Sequence, residues 1–108
     1  MHTVIKLSVM YPNTPGSTFD MAYYCTRHMP MVLRLVGPAI KSYSVEQGLG
    51  GPAPGSPPAY LAMGHFVFES VEAFQASFGP HLPAIQADVP NYTNTQPTIQ
   101  ISEVKLSG

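Results

Sequence analysis

Between Thr18 and Leu35 the apolar positions follow a helical period but spread too far around the helix for one contact face. Asp20, Arg27 and Arg34 are spaced by sevens and share one narrow stripe. Phe19, Met21, Ala22, Tyr24, Cys25, Met29, Met31, Val32, Leu33 and Leu35 occupy most of the remaining circumference. A single sheet cannot cover that much apolar surface, so a second helix, a second chain or a ligand is expected against it. Ser17 followed by Asp20 has capping-box spacing and sets the expected start. Pro30 removes the amide that would bond the Thr26 carbonyl, which predicts a kink or break near His28.

Elsewhere the period is two. Thr3 to Tyr11 alternates Ile5, Leu7, Val9 and Tyr11 with polar residues, and reads as a strand closed by Pro12 to Gly16. Ile40 to Leu49 reads as a strand near an edge, with Tyr43 and Val45 among polar residues. Four glycines and four prolines between Gly48 and Pro58 predict an irregular loop. Tyr60 to Phe68 is apolar on both alternating sets apart from His65. Ser70 caps a second helix through Phe78, broken at Gly79-Pro80 before a helical turn from His81 to Ala87. A turn-rich exit from Asp88 to Tyr92 leads to a last strand, Thr98 to Leu106. The predicted fold class is therefore α+β, a ferredoxin-like βαββαβ order with a four-stranded antiparallel sheet and both helices on one face.

Such a sheet leaves one face without helices, yet Tyr60 to Phe68 has no clean polar side. Together with a charged fraction of only 10%, this points to a homodimer pairing two sheets. A formal net charge of -1 and the lack of a basic run argue against nucleic acid. No stretch approaches membrane-spanning length and the first residues do not read as a secretory signal. Cys25 is the sole cysteine and is expected as a small buried hydrophobe, in a chain expected to be cytoplasmic. Residues 1–108 are expected to form one domain.

His28 is the leading acid-base candidate, since imidazole titrates near neutrality, and Tyr24 one turn earlier is placed to bond it or to donate to an oxyanion. The alternative is a satisfied His-Tyr pair that positions the kink. His65 interrupts an apolar strand and must find a partner or face a cavity. His81 at the helix break and Tyr11 at a strand end are candidate substrate-binding residues beside it. His2, His28, His65 and His81 show no paired ligand spacing, so no metal site is expected, and no cofactor is expected either. Asp88 and Asn91 read as turn closers rather than as catalytic groups.

The run Phe19-Asp20-x-x-Tyr23-Tyr24-x-x-x-His28-x-Pro30, then Gly37-Pro38, Phe68-Glu69-Ser70-x-Glu72-Ala73-Phe74 and Asp88-x-x-Asn91-Tyr92-Thr93, resembles the EthD family of dimeric α+β barrel proteins. The resemblance implies two chains pairing into a dimeric α+β barrel, with a ligand pocket between each sheet and its own helices. The loop from Gly48 to Pro58 and the broken second helix would border that pocket. Similar proteins act as cyclases, dehydratases or decarboxylases, and the family is named for a protein needed beside an oxygenase in degrading a fuel ether. The expectation is cofactor-independent acid-base chemistry on a small, apolar, oxygenated molecule. The alternative is a non-catalytic ligand-binding or accessory protein of an oxygenase pathway.

Overall fold

The computed structural model describes residues 4–108. Thr3, the expected start of the first strand, and His2 lie outside the described residues. Strand β1 (Ile5–Pro12) leads to helix α1 (Met21–Tyr23), a wide turn over Tyr24–His28 and helix α2 (Met29–Val36). Strands β2 (Ser42–Gln47) and β3 (Tyr60–Phe68) follow, then helices α3 (Val71–Phe78) and α4 (Leu82–Ala87) and strand β4 (Thr98–Glu103). The sheet order is β2-β3-β1-β4 with every pairing antiparallel, the ferredoxin-like arrangement the periodicity predicts.

The elements begin and end where local chemistry requires. The Ser70 hydroxyl accepts from the Ala73 amide at 3.0 Å and starts α3. β2 lies at an edge, as its polar pattern predicts, and Gly48 to Pro58 contains neither helix nor strand. Three expectations need correction. The first helix is capped by Asp20, whose carboxylate accepts from the Tyr23 amide at 3.0 Å; Ser17 instead closes a turn with Thr14. The last strand stops at Glu103 rather than Leu106. Cys25 is exposed, because it shares the solvent side of the helix with Ala22 and Thr26, and its thiol lies 3.7 Å from the Met21 sulfur.

The expected kink takes a specific form. Over Tyr24–His28 the backbone widens by one residue, the Met29 amide reaching back five positions to the Tyr24 carbonyl. Pro30, which has no amide to donate, then sits in the first turn of α2, where none is needed. The Thr26 hydroxyl bonds the Ala22 carbonyl at 2.6 Å, a contact that also bends helices. This widened turn keeps both Tyr24 and His28 buried against the sheet.

The core lies between helices and sheet. Ile5, Leu7, Tyr11, Ala62, Phe66 and Phe68 from the strands meet Tyr24, Met29, Val32, Val36, Phe78 and Ile85 from the helices. Gly64 is required within this layer, because a Cβ there would collide with the Tyr24 hydroxyl. On the helix-free face, Leu61, Met63 and Val67 are joined by Lys6, Ser8, Ser44 and Glu46 from the flanking strands, so that face is mixed rather than uniformly apolar.

Candidate functional site

Tyr92 reaches the core because its segment is tied to the approach to α1. The Asp20 amide donates to the Tyr92 carbonyl at 2.8 Å, the Thr93 hydroxyl donates to the Thr18 carbonyl at 2.7 Å, and Phe19 pairs with Thr93 as an isolated bridge. The short turn Val89–Asn91 follows α4 and sets Asp88 beside the widened turn. Residues some sixty positions apart are thereby joined: His28 Nδ1 lies 2.9 Å from an Asp88 carboxylate oxygen.

Asp88 is held from three sides. The Tyr23 hydroxyl and the Asn91 amide both donate to its other oxygen, at 2.8 and 2.9 Å. Burial pushes the Asp88 carboxyl up, but the hydrogen bonds from Asn91, His28 and Tyr23 outweigh it and hold the group below its usual range. Burial lowers His28, which is 3% exposed, and Asp88 only partly opposes that effect. A carboxylate accepts only, so neutral His28 carries its proton on Nδ1 and presents the Nε2 lone pair on the other side.

Nε2 meets the first of three neighbouring phenols. The Tyr92 hydroxyl is 3.5 Å from it and 2.7 Å from the Tyr11 hydroxyl. Tyr24 stacks on the imidazole with ring centroids 5.2 Å apart and planes 15° apart. Burial pushes Tyr11, Tyr24 and Tyr92 well above the usual phenol value, so all three remain hydrogen-bond donors at physiological pH.

These groups stand at one side of a cavity of about 450 Å³ between sheet and helices. Its walls include Leu7, Val9, Val32, Phe66, Phe78 and Ile85. The volume matches an ordinary small-molecule site, apolar with a few convergent polar groups. Among the described residues, no three of His, Cys, Asp or Glu gather as a metal site.

His28, Tyr24 and Tyr11 all line this cavity, whereas His65 and His81 do not. The β3 alternation that sends Phe66 inward sends His65 to the helix-free face, where it bonds Ser8 at 2.8 Å and Glu46 at 3.1 Å. His81 ends a short turn, its neighbour Leu82 reaching the cavity instead. The broken second helix does border the cavity, through Gly79 and Leu82, but the loop from Gly48 to Pro58 does not. Asp88 and Tyr92 were not among the candidates. Both stand in the run Asp88-x-x-Asn91-Tyr92-Thr93, but only the folded topology joins that run to His28.

An EthD domain model matches residues 17–96. The chain belongs to the EthD family. An EthD-like protein from Ralstonia eutropha JMP134 is 48% identical with a TM-score of 0.92, the match covering 100% of this chain and 97% of that one. An ethyl tert-butyl ether D family protein from Bacillus halodurans C-125 is 18% identical with a TM-score of 0.70, covering 94% and 98%. SnoaB, a cofactor-independent oxygenase from Streptomyces nogalater, is 10% identical with a TM-score of 0.58, covering 99% and 97%, and so shares the fold. No protein of curated function matches the sequence. The family and its ferredoxin-like fold are thus those the sequence motifs indicate, and His28, Asp88 and Tyr92 all fall inside the matched region.

Proposed function

We propose that this EthD domain binds a small, apolar, oxygenated organic molecule and performs cofactor-independent acid-base chemistry on it. The observation that carries the reading is His28, which lines an apolar cavity with the Asp88 carboxylate on its Nδ1 and the Tyr92 hydroxyl 3.5 Å from its Nε2. Asp88 fixes the imidazole's orientation and tautomer and would stabilise the imidazolium once a proton is taken. Nε2 removes a proton from an acidic C–H or O–H of the ligand. Tyr92, with Tyr11 and Tyr24 behind it, donates to the oxyanion that develops as the electron pair moves onto oxygen. The apolar walls exclude water and strengthen both interactions.

The test is exchange at an enolisable carbon. With 2-tetralone in D₂O, the protein should accelerate loss of the α-proton signal, and His28→Ala should remove the acceleration while keeping the fold. No acceleration with this or other enolisable ketones favours the accessory or ligand-binding reading. The 3.5 Å approach of the Tyr92 hydroxyl to Nε2 supports that second reading, since it engages the lone pair that a base would need.

The working form in this proposal is a homodimer joined through the helix-free sheet faces, where Leu61, Met63 and Val67 are half-buried among the described residues. A reducing, cytoplasmic setting suits the exposed thiol of Cys25. Among the described residues no helix is long and apolar enough to cross a membrane.

A further inference from the structure

The cavity is apolar but its charge balance is unusual in one respect. Among the described residues lining it there is no Lys, Arg, Asp or Glu. The Asp88 carboxylate lies behind the imidazole rather than on the wall. Polar contacts besides the His28 and tyrosine group come from three amides on separate segments: Gln75 on α3, Gln86 on α4 and Gln96 before β4. All three are exposed, so they stand at the rim while the phenols stand within.

From this arrangement we infer that the site selects neutral ligands, with Gln75, Gln86 and Gln96 receiving the ligand's outer hydrogen-bonding group. The inference rests on the cavity being the ligand site and adds the ligand's charge class. An ionised carboxylate or phosphate on the ligand would lose its hydration without meeting a cation, and it would approach Asp88 from the same side as Nε2. A weakly acidic phenol or an enolisable carbonyl enters uncharged and becomes anionic only when His28 takes its proton. The primary amides of the rim both donate and accept, so they match a carbonyl, hydroxyl or ether oxygen without demanding a charge.

The experiment compares 2-naphthol with 6-hydroxy-2-naphthoate at neutral pH. Both fluoresce, and the chain has no tryptophan to obscure their emission. The naphthol should bind, with shifts in the His28 ring resonances placing it in the cavity, and the carboxylated probe should bind about 100-fold more weakly or worse. Gln86→Lys sets a cation on the rim at an exposed helical position. It should raise the carboxylate's affinity relative to the naphthol by about tenfold. Equal binding of the two probes by the unchanged protein overturns the selectivity while leaving the cavity as a ligand site. An unaltered ratio in Gln86→Lys overturns the rim's part in it. Failure of both probes to bind removes the cavity reading itself.

Discussion

The two sides of the sheet carry two histidine-carboxylate pairs that look alike in distance and differ in everything else. His28 and Asp88 are 2.9 Å apart, with side chains 4% and 16% exposed. His65 and Glu46 are 3.1 Å apart, with side chains 16% and 55% exposed. In the first pair the carboxylate is fixed by Tyr23 and Asn91, and the imidazole lines a cavity with the Tyr92 hydroxyl 3.5 Å from its other nitrogen. The second lies across neighbouring strands, with its other ring nitrogen already used by Ser8. Spacing makes the hydrogen-bonded pair; burial and a second ring nitrogen at a cavity wall are what make a candidate base.

The sharpest way to break this contrast is to remove each imidazole. His28→Ala should lower the rate of catalysed exchange about 10²- to 10⁴-fold, the range of a lost general base, whereas His65→Ala should leave the rate within a factor of a few. Comparable losses would show that the helix-free face takes part in the chemistry. Asp88→Asn tests orientation. It keeps the size of the side chain but removes its charge, and should reduce the rate about 10- to 100-fold with a smaller change in ligand affinity.

The same contrast shows how much could be read before folding. The strands, the α3 cap and the irregular loop are local matters of period, hydroxyl position and breaker content, and Tyr60–Phe68 and Val71–Phe78 form where those signals put them. His28 and Tyr24 were legible because both stand on one helix beside a proline. His65 was legible only as a polar interruption, since the side a strand residue faces depends on which face the helices cover. Asp88 and Tyr92 gave turn signals, and their partnership with His28 arises from the tie between the approach to α1 and the segment before β4. No local pattern encodes that contact.

Stability separates the two faces as well. Gly64→Ala drives a methyl group into the Tyr24 hydroxyl within the packed layer and should cost about 1–3 kcal/mol in denaturant unfolding. Ser8→Ala on the other face should stay within about 0.5 kcal/mol. A smaller effect follows from pH. Because burial lowers His28, the unfolded chain binds a proton that the folded one refuses below about pH 6.5. Stability should therefore hold above that value and decline as pH falls toward the lowered folded pKa; His28→Ala should flatten this decline. Asp88, lowered by its hydrogen bonds, adds stability that is fully present above the ordinary carboxylate value and is lost progressively as pH falls from there through its folded value. Smallest of all, Glu46→Gln should change stability by no more than about 1 kcal/mol, with a salt dependence typical of exposed pairs.

The tautomer and titration of the His28 imidazole, followed by nitrogen-detected NMR alongside His65, test the central claim most directly. At neutral pH His28 should be uncharged with its proton on Nδ1, should protonate only below about pH 6.5, and should shift when 2-naphthol is added. A His28 that carries its proton on Nε2, or that is already charged at neutral pH, would contradict the account, because neither form leaves a base facing the cavity.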